Sequence, residues 1–279
     1  MRDPLVSIVT PSFNQAEFLE KTILSVINQD YPRLEYFVMD GGSTDGSLEI
    51  IKRYEHRITN WISEPDRGQS DAINKGWSMA SGDIFAWLNS DDMYAPGAVQ
   101  AAVQAFRENP EAGMVYGDAI LVDRDGHELS IKKSKQIRVQ RSPWLGSPIP
   151  SNFLIPQPSV FIRADILRQV GFLDSKLHAV MDFELFLRVA RVSPIVYLPR
   201  IQSYAHWYIG TKTTKNIDRN MREKVEVLKR YSRVWFLSEY WFRYLRYLIW
   251  MRMPVTFRNY FRKKRGLVRD QIFLKTVDS

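Results

Sequence analysis

Short apolar runs alternate with amphipathic stretches along the first ninety residues. Leu5 to Thr10 is β-branched and apolar, Glu17 to Asn28 places Phe18, Leu19, Ile23, Val26 and Ile27 at helical spacing, and Glu35 to Met39 is apolar again. The pattern then repeats, with a helix over Gly46 to Tyr54, a short strand over Asn60 to Ser63, a helix over Gln69 to Ala80 and a fully apolar strand over Ile84 to Leu88. Strands alternating with helices predict an α/β fold with a mostly parallel, Rossmann-like sheet and helices on both faces. In such sheets ligands bind beyond the carboxyl ends of the strands.

Polar clusters fall at those ends. They are Thr10-Pro11-Ser12-Phe13-Asn14, Asp40-Gly41-Gly42-Ser43-Thr44-Asp45, Glu64-Pro65-Asp66-Arg67-Gly68 and Asn89-Ser90-Asp91-Asp92. Taken singly each could be a solvated turn with a helix cap, and Asp45 or Ser70 fits that role. Together they describe one cleft.

Beyond residue 95 the alternation loosens. Pro96 to Glu108 predicts a helix, Gly113 to Val122 a strand, Asp123-Arg124-Asp125-Gly126 a hairpin turn and Glu128 to Lys133 its partner. Ser142 to Pro158 contains Pro143, Pro148, Pro150, Pro156 and Pro158 and predicts a lid or substrate platform. Ser159 to Ile162 reads as a strand and Asp182 to Val192 as a helix.

Composition narrows the class. The chain of 279 residues is 45% apolar and 25% charged, which excludes disorder and coiled coil. It has no cysteine, so disulfides, thiolate zinc sites and a cysteine nucleophile are excluded. The net charge of +8 is uneven: residues 1 to 200 sum to −4, with 21 Lys+Arg and 25 Asp+Glu, and residues 201 to 279 to +12, with 18 and 6. A slightly acidic body with a basic end suggests an enzyme that leans on something anionic. The run Leu5 to Val9 is too short for a signal core, and no apolar stretch is long enough to span a membrane. A cytoplasmic location is expected.

Asp91 and Asp92 carry the sharpest chemical signal. Adjacent carboxylates directly after a buried strand repel one another unless a cation joins them. Mg²⁺ or Mn²⁺ needs few protein oxygens and keeps positions for water and phosphate. The other reading is acidic residues ahead of a helix N-terminus. Asp40 precedes two glycines whose freedom lets the backbone bend close under a flat ligand, where a carboxylate can accept from a base or ribose; alternatively it caps the following helix.

The succession Val6-Ser7-Ile8-Val9-Thr10-Pro11-Ser12-Phe13-Asn14, Ser25-Val26-Ile27-Asn28-Gln29, Asp40-Gly41-Gly42-Ser43-Thr44-Asp45, Asp71-Ala72-Ile73-Asn74-Lys75-Gly76 and Asn89-Ser90-Asp91-Asp92 closely resembles the family-two glycosyltransferases, over at least residues 5 to 215. That resemblance implies a GT-A fold and an inverting transfer from a nucleotide-diphospho-sugar. By similarity, Pro11, Phe13, Asp40, Asp66, Arg67 and Asp91 would bind the nucleotide-sugar, and Asp91 and Asp92 the metal. Asn89 stands where the family often has a third carboxylate. Pro158 to Ile162, Gly171 to Asp174 and Met181 to Leu185 resemble the acceptor half, and Asp182 matches the catalytic base. Inversion asks for one carboxylate to take the acceptor hydroxyl's proton. Glu184 is the alternative base. His206 and Tyr208 fall where relatives often carry Arg-x-His; His206 is a candidate for diphosphate or metal contact or a packed side chain. Lys212 could pair with phosphate or be solvated.

The segment Lys229 to Arg265 interleaves eleven Lys and Arg with many aromatics against one acid, Glu239. Such a helical extension would lie on an anionic membrane surface or pack on the body; it lacks a nucleic-acid module. The sequence therefore predicts a catalytic domain over 1–215 and a basic aromatic helical extension over 216–279. The acceptor would be a saccharide or lipid-linked saccharide of cell-surface polysaccharide biosynthesis, at the inner face of the cytoplasmic membrane. A nucleotidyltransferase would need a glycine-rich basic signature that Thr10 to Asn14 lacks. A non-catalytic glycan-binding or sugar-nucleotide-binding module remains the rival.

Overall fold

The computed structural model describes residues 3–137, 155–208 and 217–231. The chain divides into two units, residues 1–141 with 149–207 and residues 142–148 with 208–279. The first unit is built on a nine-stranded sheet. Its strands are β1 (Val6–Ser12), β2 (Leu34–Asp40), β3 (Asn60–Ser63), β4 (Ile84–Trp87), β5 (Met93–Tyr94), β6 (Met114–Val122), β7 (Glu128–Lys132), β8 (Phe161–Arg163) and β9 (Ile195–His206). Its helices are α1 (Ala16–Ile27), α2 (Ser47–Arg53), α3 (Gln69–Met79), α4 (Ala98–Glu108), α5 (Ala164–Val170) and α6 (Met181–Val192).

The strand order is β3-β2-β1-β4-β8-β6-β9-β5, with β7 pairing β6. The first four strands are parallel, so the ends of β1, β2, β3 and β4 open on one edge. The other half is mixed: β4–β8, β8–β6, β6–β7 and β9–β5 are antiparallel and β6–β9 is parallel.

Strand alternation sorts the core into two layers. Val6 and Ile8 of β1, Tyr36 and Val38 of β2, and Ile84 and Ala86 of β4 join Leu19, Ile23 and Val26 of α1, Ile51 of α2 and Val99, Ala102 and Val103 of α4 in one cluster. The intervening residues face the other way. There Trp77 of α3 meets Phe85, Trp87 and Phe172, and Trp87 meets Phe186 of α6, with ring centroids 5.4–6.4 Å apart. Gly76 lets α3 approach: a Cβ there would lie 2.6 Å from a Val9 methyl.

The strand β9 departs from the sequence-based expectation, which placed no strand there. Its pairing with β6 passes from Tyr116↔Tyr197 to Asp118↔Ile201, so extra residues around Pro199 bulge from the ladder. A proline without an N–H and the adjacent Arg200 break the alternation that would mark a strand. The predicted Ser159 to Ile162 strand is shifted: Gln157–Ser159 forms a 3₁₀ turn before β8. Most of the Ser142 to Pro158 platform, Lys212 and the aromatic segment beyond Tyr231 lie outside the described residues. In the second unit, α7 (Ile217–Tyr231) buries Val227 and Leu228 and carries an Arg219–Glu223 ion pair at 2.8 Å.

Candidate active site

Two loops clasp at the ends of β1 and β2. Asn14, in the left-handed region at φ 51°, accepts the Thr44 amide at 2.9 Å on Oδ1, while its own amide donates to Ser43 Oγ at 2.8 Å. Asp45 caps two helices at once. Its Oδ2 accepts the Ala16 amide and its Oδ1 the amide and hydroxyl of Ser47.

Asp40 is buried at the end of β2. Its Oδ2 accepts from the amides of Gly42 and Ser43 and from Ser63 Oγ at 2.7–3.1 Å, and its Oδ1 accepts from Ser43 Oγ at 2.5 Å. The carboxylate therefore shapes the glycine turn itself. Over that turn, a Cβ on Gly41 would lie 2.8 Å from Asp66 Oδ2 and 3.2 Å from the Phe13 ring. Phe13, Gly41 and Asp66 thus converge, and Phe13 is 59% exposed, an apolar ring left open beside a carboxylate. Pro11 is buried in β1, two residues before Phe13. Asp66 Oδ1 accepts the Gly68 amide at 2.7 Å, and Arg67 pairs with Asp71 at 2.8 Å while staying 83% exposed.

The turn after β4 is held from three sides. The Asp92 amide donates to Asn89 O at 3.0 Å, and Thr22 Oγ1 of α1 lies 2.9 and 2.8 Å from the carbonyls of Ser90 and Asp92. Gln29 binds Ala95 O and the Val99 amide, and Ser25 Oγ accepts the Tyr94 amide, so the Ser25 to Gln29 motif anchors the chain after the acidic pair. From the far side His206 donates its amide to Asp92 Oδ1 at 3.1 Å, and its ring Nδ1 meets the Asp91 carbonyl. Its ring also packs on Phe18. Pairing of β5 with β9 brings it there, and its observed contacts hold the turn.

Asp92 is 6% exposed and Asp91 partly buried. Burial, then the neighbouring Asp91 charge, pushes the Asp92 carboxyl well above its ordinary range; burial also raises Asp91, with the His206 charge opposing. Two carboxylates that repel and are costly to ionise together suit a hard divalent cation. The residue pair fits such an ion. Asn89 extends this polarity: it donates to Asp92 Oδ2 at 3.0 Å and to Gln157 Oε1 at 2.9 Å, and accepts from Gln69 at 2.5 Å. Gln69 and Gln157 were not foreseen, because single amides carry no sequence signal of their own.

Across the sheet edge, α3 grips the segment leading into α6. Asn74 exchanges two hydrogen bonds with the Leu173 backbone and Ser70 Oγ meets Leu177 O and Met181 Sδ. Asp182 follows, in the first turn of α6, with Oδ1 accepting the Phe183 amide at 2.8 Å. Glu184 is different in kind. It is 3% exposed and takes three guanidinium contacts from Arg188 at 2.8–3.0 Å, while Arg188 also donates to the carbonyls of Val170, Gly171 and Phe172. That assigns Glu184 to fastening α5 on α6.

Lys132 ends β7, the strand expected over Glu128 to Lys133. Its ammonium feels the charges of both Asp182 and Asp92, while burial lowers its affinity for the proton. Among the described residues, one group of three potential metal ligands has its ligand atoms within 4.8 Å of one another: Asp123, Asp125 and His127. They form the β6–β7 turn, where Asp123 accepts the amides of Asp125 and His127.

A parallel half-sheet, loops clasped at its carboxyl edge and an acidic pair after β4 define the GT-A class of transferase fold. Residues 7–162 match the model of glycosyl transferase family 2, and the chain belongs to that family. An uncharacterized glycosyltransferase of Mycobacterium tuberculosis is 32% identical over 193 residues, 68% of this chain and 70% of that protein. One from Rickettsia bellii is 28% identical over 219 residues, 75% of this chain but only 31% of its own length. Among solved structures, S. aureus TarS in complex with UDP-GlcNAc superposes with a TM-score of 0.63 at 16% identity, covering 98% of this chain and 81% of that chain. The mannosyltransferase PcManGT from Pyrobaculum calidifontis, in complex with GDP-Man and Mn²⁺, gives 0.61 at 18% identity, covering 82% and 64%. Among the described residues no helix is long and apolar enough to cross a membrane.

Proposed function

We propose that this protein transfers a sugar from a nucleotide-diphospho-sugar to an acceptor hydroxyl with inversion. The observation that carries the reading is the Asp91–Asp92 turn, with Asp92 buried, at the same strand edge as Phe13, Asp40 and Asp66. Phe13 would stack on the base, with Pro11, Asp40, Asp66 and Arg67 framing the nucleoside pocket and Asp91 meeting the donor. Asp91 and Asp92 would hold Mn²⁺ or Mg²⁺, which when bound neutralises diphosphate charge. The complexes of TarS with UDP-GlcNAc and of PcManGT with GDP-Man and Mn²⁺ support a donor and a metal of these classes. Asp182 would accept the acceptor hydroxyl's proton as that oxygen attacks the anomeric carbon.

The catalytic domain would span residues 1–215 and the basic extension 216–279. With 16 Lys and Arg against 6 Asp and Glu, a net +10, the extension would rest on the anionic inner face of the cytoplasmic membrane, where the acceptor would be a glycan or lipid-linked glycan of cell-surface polysaccharide. Deleting residues 229–279 should release the protein from anionic liposomes; unchanged binding sinks the membrane assignment. Asp182→Asn should abolish turnover at retained nucleotide affinity. Full turnover in that variant would remove Asp182 from the mechanism.

A further inference from the structure

Phe13 is presented to water by a backbone fastened on both sides of it. Ser12 O accepts the Gly41 amide at 2.8 Å, and Asn14 is tied to Ser43 and Thr44, yet the ring between them stays 59% exposed. A lone exposed ring is ordinary on a surface, and its neighbour makes this one informative. The point where a Cβ on Gly41 would stand is 3.2 Å from Phe13 Cδ2 and 2.8 Å from Asp66 Oδ2, so ring and carboxylate flank the bare glycine.

The two oxygens of Asp66 are unlike. Oδ1 accepts the Gly68 amide at 2.7 Å, whereas Oδ2 has no hydrogen-bond partner among the described residues. The nearby cations are engaged elsewhere: Arg67 pairs with Asp71, and Lys75 with Glu64 and Asp71. Asp40 stands in contrast, 3% exposed and with both oxygens taken by donors of its own loop and Ser63, so its carboxylate is committed to the turn.

An ionised carboxylate only accepts, so one open oxygen beside an aromatic face selects a planar ligand that stacks and turns an N–H toward it. Among nucleobases, uracil and thymine offer a single imide N–H between two carbonyls. Guanine offers a pair of N–H groups that suits both oxygens of a carboxylate, and here Oδ1 is taken by Gly68. Cytosine and adenine place a bare ring nitrogen at that edge, an acceptor facing an acceptor.

We propose that Asp66 determines base specificity, its Oδ2 accepting the imide N–H of a uracil or thymine that stacks on Phe13. This rests on the donor reading above and narrows the donor to a uridine or thymidine diphospho-sugar.

Calorimetric titration of the full chain in Mn²⁺ with UDP, dTDP, CDP, GDP and ADP tests it. UDP or dTDP should bind most tightly. CDP, which differs from UDP only at the edge offered to Asp66, should bind about tenfold more weakly than UDP, the scale of one lost hydrogen bond to a charged group. Asp66→Asn keeps an oxygen for the Gly68 amide and so turns its NH₂ toward the base. That variant should lose or reverse the preference for UDP over CDP, with a melting temperature close to that of wild type. Equal affinity of wild type for UDP and CDP overturns the proposal, as does a preference for GDP or ADP, or an unchanged ratio of UDP to CDP affinity in folded Asp66→Asn. Binding of no nucleotide by wild type refutes the donor reading, and this proposal with it.

Discussion

Two acids lie two residues apart on α6, Glu184 paired with Arg188 and Asp182 the proposed base, and mutation separates them. In Arg188→Met, Glu184 would keep its place in the interior and lose the guanidinium that neutralises it. Were this an exposed i,i+4 pair, about 0.3–0.5 kcal/mol would go. Here the two side chains are 16% and 3% exposed, and Arg188 also serves three carbonyls at the end of α5. The appropriate scale is therefore that of breaking a buried pair, about 3–5 kcal/mol, which in a unit of this size lowers the melting temperature by about 6–20 °C. Urea unfolding followed by fluorescence of the buried Trp77 and Trp87 measures it. Replacing both partners, Glu184→Met with Arg188→Met, should cost less than the sum of the single changes by about 1–3 kcal/mol. Asp182→Asn should stay within about 0.5 kcal/mol of wild type. A loss below about 1 kcal/mol in Arg188→Met, on the surface-pair scale, would refute the structural role given to Glu184.

Other outcomes follow from the same geometry. Gly76→Ala forces a methyl to 2.6 Å from Val9 and should destabilise by about 1–3 kcal/mol in the same urea assay. Phe13→Ala, at an exposed ring, should leave the melting temperature nearly unchanged while weakening nucleotide binding by about tenfold, on the scale of base–aromatic stacking; equal binding would remove Phe13 from the pocket. The raised Asp91 and Asp92 carboxyls oppose folding when ionised, so in chelator Asp91→Asn should be more stable than wild type at pH 8. That margin should close as pH falls and the native carboxyls take up protons; a margin independent of pH would contradict the assignment of repulsion.

The half of the sheet made of β1 to β4 was legible because each strand is a continuous apolar run and each helix between them is amphipathic. The acidic pair was legible for the same reason, since two charges directly after a buried strand stand out. The β9 strand was not, because Pro199 and a bulged register hide its alternation, and with it went the contact of His206 with the Asp91–Asp92 turn. Asp40 shows a different limit: the sequence located it at the strand end, but four hydrogen bonds to its own loop and Ser63 emerge only from the fold.

The central claim is a metal-dependent nucleoside-diphosphate site on the Asp91–Asp92 turn. The most direct test is titration of the purified protein with UDP, GDP and dTDP, each with and without Mn²⁺, beside Asp92→Ala. The account predicts that one nucleotide binds only with the metal and that Asp92→Ala abolishes this binding. Binding of none, or binding indifferent to both Mn²⁺ and Asp92, would contradict it.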